Sequence, residues 1–562
     1  MENIQPLDRS FGLETECAIR FDRTETRFGK RTNCLEIYEE ICEYLKQNSA
    51  AAPAHKNKLG CFFANGSAIW FERILPGRKE GLIEVCTPEC RDPMELAANH
   101  AAMDRLLGSA VSQCTRDVGL LKNCIDPRGV AYGAQENYEV IGYDDEEARQ
   151  WNKGIDRLKF AARVSMSMLA IMCLLPMFLF FYYPIFTFGL VAALYTLLCV
   201  LTRRLNSSAD VLYNFIGLVL CPKAFLVSRF YHKMKIGRTY EKLKPFLISR
   251  GVWSGAGGID IKSGRFFLGQ KAKSRNTDWL TVSCTLQKPI FCLNYLFKEL
   301  CRNLESPVER KSLRNQRQRL SLSVGDSNMS QEVNWPKVAT TCLVLDAIEA
   351  GAIREFPKVG KPLQALKKIN DDPSLQSSVA TSRGAMTGIE IQQFSLNACR
   401  QYVESFEDPP QQALDVLKRW NEFLVKLKTD QNSLVGRVDW ITKRQIMRSV
   451  VEKCDYQIPA QSMNTGDEFV EFGNRTVLQK ADLKFHELGP EGYHQQLVDS
   501  GVVEALLDDE GIDRATRMPP TVKTAAQRCR YIREFGPEIE WIAWDEVKLV
   551  NRDSISLQHA DE

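Results

Sequence analysis

The feature that most constrains this chain is a run of 39 residues, Val164–Thr202, that contains no Asp, Glu, Lys, Arg or His. A helix crosses a bilayer in about 20 apolar residues, so this length suits two short crossings better than one. Pro176, Pro184 and Gly189 interrupt the run, and FFYYPIF (Phe180–Phe186) carries the aromatic residues that favour a membrane interface. Basic residues flank both ends: Lys153, Arg157, Lys159 and Arg163 before it, Arg203 and Arg204 after it. Under the positive-inside rule both ends then face the cytoplasm, as a hairpin requires. The expectation is a chain anchored in membrane lipid with its remaining domains in the cytoplasm; two buried core helices are the competing structure. Val211–Cys221 is too short to span, and with the basic Leu226–Arg238 it reads either as an interfacial helix or as an ordinary amphipathic one.

The rest of the chain is globular in composition, and 562 residues hold roughly two to four domains. Lys and Arg number 73 against 70 Asp and Glu, so no global field draws a polyanion. Basic residues are not interleaved with an aromatic platform, which sets nucleic acid aside as a partner. The 18 cysteines are scattered without a CxxC pair, and MENIQPLDRSFG lacks the form of a secretory signal. Free thiols in a reducing compartment follow from that pattern. Cys86 and Cys90 have a zinc-like spacing but no second pair in register.

Along the chain, LEIYEEICEYLKQ (Leu35–Gln47) has helical spacing, while SAIWFER and GLIEVCT read as strands, the first fed by a tight turn at Asn65–Gly66. Residues 141–163 are charged and form a linker. A Gly-rich segment, Gly251–Gly264, opens a second soluble part, and Glu309–Arg319 is a basic run suited to a solvated face. Helical patterns follow: one ending at Gly351, one over Gln411–Leu427 and one over Trp440–Lys453; Asp371–Ala385 and Asn464–Gly473 read as loops. The expected division is a first core part (1–150), a membrane insertion (151–237), a second core part (238–470) and a C-terminal domain (471–562).

No GxxxxGK[ST], HExxH or GxSxG motif is present. Gly255–Gly258 imitates part of a phosphate loop and is equally a plain turn. What remains is a set of carboxylates on strands. Glu14 and Glu16 lie two apart and so share a face. Glu84 sits inside apolar LIEV and Glu136 inside QENYEV, where a carboxylate is costly unless paired or bound to a cation. If these strands converge they make an oxygen-rich site for Mg²⁺ and nucleotide phosphates; otherwise each Glu faces solvent or a basic neighbour.

Several words of the sequence occur together and in order: GLETE (Gly12–Glu16), NGSAIWFE (Asn65–Glu72), IEVCTPEC (Ile83–Cys90), LKN with YGAQENY (Leu121–Tyr138), RLSLSVGDSNMS (Arg319–Ser330), VDWITKR (Val438–Arg444), DLKFHEL (Asp482–Leu488) and WDEVKL (Trp544–Leu549). With them the chain resembles the ligase and depupylase family of the Pup (prokaryotic ubiquitin-like protein) system, GLETE and GDSNMS leaning to the ligase branch. The resemblance implies an α+β, glutamine synthetase-like fold: a curved antiparallel sheet backed by helices, a small C-terminal domain and, here, an inserted transmembrane hairpin. It implies ATP and Mg²⁺ as cofactors, a small protein or peptide ending in Glu as one partner and a lysine-bearing protein as the other. Residue by residue, it implies Glu14 and Glu84 as metal ligands, Thr87 and Trp544 as nucleotide contacts and Glu72 as the catalytic carboxylate, with Glu80 a rival in the extra segment after Arg73. Ala68, Trp70, Gln135 and Ser321 depart from the family's arginine, tyrosine and two histidines. Three activities stay open: an acyl-phosphate-forming carboxylate–amine ligase, a depupylase-type hydrolase and a silent nucleotide-binding scaffold.

Overall fold

The computed structural model describes residues 4–141 with short breaks at 25, 28–29, 56–57, 74–77 and 128, scattered positions from 146 to 171, and residues 235–280, 289–293 and 316–557 except 354. Most of the apolar run lies outside the described residues, as do Val211–Cys221, most of Leu226–Arg238 and of the 141–163 linker, and Glu309–Asn315. Among the described residues no helix is long and apolar enough to cross a membrane. That overturns the expectation of a membrane-anchored chain and its lipid partner. Freedom from charge is a statement about composition, whereas a span needs about 20 residues of unbroken apolar helix, and no helix of that kind stands among the described residues.

The centre of the fold is β1 (Phe11–Phe21), whose residues Phe11–Ala18 alternate between buried and half-buried positions. Among the described residues ten strands make the sheet. In chain order the others are β2 (Ala51–Pro53), β3 (Gly60–Phe63), β4 (Ala68–Arg73), β5 (Gly81–Cys86), β6 (Val118–Leu121), β7 (Gln135–Ile141), β8 (Thr277–Leu280), β9 (Pro289–Leu293) and β10 (Arg317–Leu322). Their spatial order is β8-β9-β10-β7-β1-β5-β4-β3-β2, with β6 joined to the far end of β1. All pairs are antiparallel except β8 with β9. The turn between β3 and β4 is made by Asn65, whose Oδ1 accepts from the Ser67 N–H (3.0 Å), and by Gly66 at φ +89°.

One face of the sheet is apolar and covered by helices. Cys17, Ile69, Phe71, Ile83 and Val85 pack with α1 (Cys34–Asn48) and α2 (Pro93–Ser112). Leu13, Tyr138, Leu320 and Leu322 join a larger core that includes α3 (Lys235–Ser249), α4 (Gln331–Glu349), α5 (Gly388–Val403), α6 (Gln411–Thr429), α7 (Asp439–Glu452) and α8 (Arg475–Phe485). The helix ending at Gly351 (φ +72°), the Gln411 helix and the Trp440 helix all stand where the sequence places them. Asp371–Ala385 is not wholly loop, because Ser378–Thr381 and Gly384–Thr387 close a hairpin through Gly384 at φ +100°.

Glu136 belongs to this buried face. It pairs with Leu13 and Leu322 across the strands, and its carboxylate takes both guanidinium nitrogens of Arg250, at 2.6 and 2.8 Å. Tyr138 donates to it as well (2.7 Å). Burial would raise the pKa of Glu136, but Arg250 and Lys337 outweigh it and hold the acid below its usual range. Removing one partner of such a pair strands a buried charge. Arg250→Met should therefore destabilise the protein by about 3–5 kcal/mol in urea unfolding; a loss below about 1 kcal/mol would show that the pair does not hold the sheet to its helices.

Candidate active site on the open face of the sheet

Strand alternation sends a second set of side chains to the opposite face. Across β1, β5 and β4 the register aligns Glu16, Glu84 and Trp70 in one row and Glu14, Cys86 and Ala68 in the next. Gln135 and Asn137 of β7 face the same way, Gln135 opposite Glu14. Glu14 and Glu84 thus meet as expected, and Glu16 stands with them. Glu136, one residue out of phase, does not. Its place was legible in the alternation itself, because Tyr138 and Val140 share its face and are core residues.

A carboxylate oxygen of Glu14, one of Glu84 and the Sγ of Cys86 all lie within 4.8 Å of one another. Glu84 is almost fully buried; burial first, then the charge of Glu14, pushes its pKa up to about 8. Burial also raises Glu16, although Lys271 and the Gly133 N–H (2.6 Å) oppose the shift. Glu14 is held from the other side by Arg319 (2.5 Å) and Asn137 (3.0 Å), with Ser321 bound to Asn137 (2.5 Å). Concentrated, partly desolvated negative charge of this kind is a site that gains from a divalent cation. The donor set fits one: two carboxylates of the hard type that suit Mg²⁺, with a thiol adjoining them.

Glu72 stands two residues beyond Trp70 on the same face, half exposed, and pairs across the strand with Leu82. Its neighbour is Lys58, at 3.5 Å. Glu80 is exposed and falls just beyond the last pair of the hairpin, Arg73 with Gly81. Thr87 is buried, and its Oγ1 accepts the Leu13 N–H (3.0 Å), so this hydroxyl fastens β1 to the end of β5.

The C-terminal elements close one side of the face. They comprise α9 (Lys523–Phe535), β11 (Ile539–Ile542), β12 (Glu546–Leu549) and β13 (Ser554–Ser556). Ile532, Ile542 and Val547 pack on Phe62, Ala68, Trp70 and Cys86. Trp544 meets Trp70 edge-on at 6.1 Å and Phe62 at 4.9 Å, leaving a half-buried aromatic wall. Arg528 locks the docking: it is fully buried, donates to Glu89 (2.5 and 3.1 Å) and to the Trp544 carbonyl (2.7 Å), and lies over the Trp544 ring. Sequence reasoning missed Arg528, Lys58, Asn137 and Arg319 as parts of this face. Asn137 was recoverable from its two-residue step beyond Gln135; the others come from a loop, a distant strand and the C-terminal helix α9.

The Gly-rich segment is not a phosphate loop. Its N–H groups are already used: Gly255 donates to the Gly251 carbonyl, Ala256 to Asp326 (2.9 Å) and Gly257 to the Leu268 carbonyl (2.7 Å). A Cβ at Gly257 would come within 2.9 Å of the Trp440 backbone, so glycine is needed for close packing. The words GDSNMS and VDWITKR are structural as well. Asp326 accepts from three backbone amides, Asp439 accepts from Met329 and Ser330, and Lys443 links the Gly257 carbonyl, Asp482 and His486 at 2.7–2.8 Å.

Fold and site together define an α+β protein whose antiparallel sheet presents clustered carboxylates, basic groups and aromatic rings on one open face. Residues 9–548 match the Pup-ligase protein family, and the chain belongs to that family. It is 28% identical over 538 residues to the Pup–protein ligase of Acidimicrobium ferrooxidans, covering 93% of this chain and 89% of that protein. It is 29% identical over 323 residues to the depupylase of Acidothermus cellulolyticus, covering 56% of this chain and 58% of that relative's length. In fold it is similar to the ligase PafA in its crystal complex with Pup, with a TM-score of 0.64 at 18% identity, covering 98% of this chain and 89% of that one. PafA in complex with ADP gives a TM-score of 0.58, covering 96% and 94%.

The raised pKa of Glu84 makes a pH prediction. A glutamate in an unfolded chain titrates near about 4.3, whereas Glu84 titrates at about 8. The folded protein therefore holds this proton more tightly than the unfolded one; that stabilisation is complete below the unfolded value and is lost as pH rises through about 8. Metal-free protein should lose part of its melting temperature between about pH 5 and 8, and Glu84→Gln should flatten that loss. An unchanged slope in Glu84→Gln would place the buried proton elsewhere.

Proposed function

We propose that the chain is an ATP-dependent carboxylate–amine ligase that joins the C-terminal glutamate of a Pup-like protein to a lysine of an acceptor protein. The observation that carries this reading is the juxtaposition of Glu14, Glu84 and Cys86 on the open face with the exposed carboxylate of Glu72 at its rim. Glu14 and Glu84 would hold Mg²⁺, which when bound neutralises charge on the transferring phosphoryl. Trp544 and Thr87 mark the nucleotide end, where the aromatic wall offers a ring edge to a base. The γ-phosphoryl of ATP passes to the substrate carboxylate, giving ADP and an acyl phosphate. The lysine amine then attacks that carbonyl and phosphate leaves, and Glu72 accepts the proton the amine releases. Glu72 suits that task because it is half exposed, within reach of an incoming protein, and is held only by Lys58 at 3.5 Å among its described contacts. The enzyme as a whole is supported by family membership and by the near full-length match to a Pup–protein ligase.

Hydrolysis of the same isopeptide is the second reading, favoured by the 29% identity to a depupylase. One assay separates the two. Purified protein with Mg²⁺-ATP, a Glu-ending Pup-like protein and a lysine-bearing acceptor should release ADP and form a conjugate visible on a gel. Glu72→Gln should slow conjugation by about 10²–10⁴-fold without lowering thermal stability. Cleavage of a preformed conjugate without ligation would support the hydrolase, and neither reaction would contradict both.

A further inference from the structure

Lys58 reaches the acidic face from the loop that leads into β3. Its Nζ lies 3.4 Å from Oε2 of Glu84 and 3.5 Å from Oε2 of Glu72, and 5.0 Å from the centroid of the Trp70 ring. The two oxygens of Glu84 therefore serve different neighbours. Oε1 lies 4.0 Å from the Cys86 thiol, while Oε2 lies 3.4 Å from Lys58, which also reaches Glu72. Two cation positions share this one carboxylate, and the chain's own ammonium stands in the second. Trp70 completes the arrangement. It occupies the row Glu16–Glu84–Trp70 with no oxygen to offer a metal, and its electron-rich ring face attracts an ammonium. Burial works against the charge of Lys58, but Glu84 and Glu72 outweigh it.

We propose that Lys58 is a resident cation: it fills the position between Glu72 and Glu84, so that the open face takes up one divalent ion, at Glu14, Glu84 and Cys86, where its carboxylates would otherwise hold two. The proposal rests on the cation-binding reading of this face given above. A unit positive charge about 4 Å from a second ion would cost that ion at least about tenfold in affinity even in a water-like dielectric, so ammonium and metal exclude one another there. The chain thus keeps a positive charge against Glu72 and Glu84 at any metal concentration.

Mn²⁺ titration followed by electron paramagnetic resonance of the free ion, without nucleotide, tests this in the whole protein. The wild type should bind one ion at this face, Lys58→Arg should also bind one, and Lys58→Ala should bind two. The second ion should disappear when Glu72→Gln is added to Lys58→Ala. The Lys58 side chain is 44% exposed, so its truncation opens no core cavity. Equal counts of one or more ions in wild type and Lys58→Ala would overturn the proposal while leaving the cation reading in place. No bound ion in either protein would overturn the cation reading itself and the proposal with it.

Discussion

The two-residue period of β1 is the constraint on which the site depends. It sends Glu14 and Glu16 to the open face and Leu13, Thr15 and Cys17 to the helices. A slip of one residue would drive two carboxylates into an apolar core and lift its anchors into water. Burying an unpaired charge costs several kcal/mol or forces it to take a proton, so the register is strongly specified. Neighbouring strands pin it on both sides, β5 through the Glu16–Glu84 pair and β7 through Glu14–Gln135. The Thr87 hydroxyl, bound to the Leu13 N–H, fixes the end of that alignment.

The two faces solve opposite electrostatic problems. On the buried side charges find fixed counterparts: Glu136 with Arg250, Arg444 with Glu468, Lys443 with Asp482, Arg9 with Asp346. The Glu136, Arg444 and Arg9 pairs are each bonded at two points; Glu136–Arg250 is a rigid joint between the sheet and α3, while Lys443–Asp482 ties α7 to α8. On the open side compensation is incomplete. Glu14, Glu16 and Glu84 stand close together, and Arg319 and Lys58, which reach Glu14 and Glu84, are about half exposed. Glu84 meets this by holding a proton at neutral pH. A binding face has to be left in such a state, because full pairing within the protein would leave nothing for a ligand to satisfy.

Much of this was readable in the sequence, and the limits have physical causes. Strand alternation and helix stops gave Ala68–Arg73, Gly81–Cys86 and Cys34–Asn48 at nearly their true positions, and the end of the Gln331–Glu349 helix, since those signals are local. Glu14 and Glu84 were legible because a carboxylate inside an apolar strand has few uses. Glu136 carried the same signal and meant something else, since its partner Arg250 lies far along the chain and no local pattern announces it. The family words GDSNMS and VDWITKR identify the fold through buried polar joints, not through the chemistry. The apolar run was the strongest local signal and the most misleading one. Absence of charge is a property of composition, and by itself it does not make a membrane span.

The proposed ligase chemistry requires cation and nucleotide to meet on the carboxylate face of the sheet. Crystals grown with Mn²⁺ and a non-hydrolysable ATP analogue, with anomalous scattering used to locate the metal, test it most directly. A manganese peak bonded to Glu14 and Glu84, with the analogue's base against Trp544, is the result the account predicts. Metal and nucleotide bound elsewhere, with Glu14 and Glu84 touching neither, would contradict it.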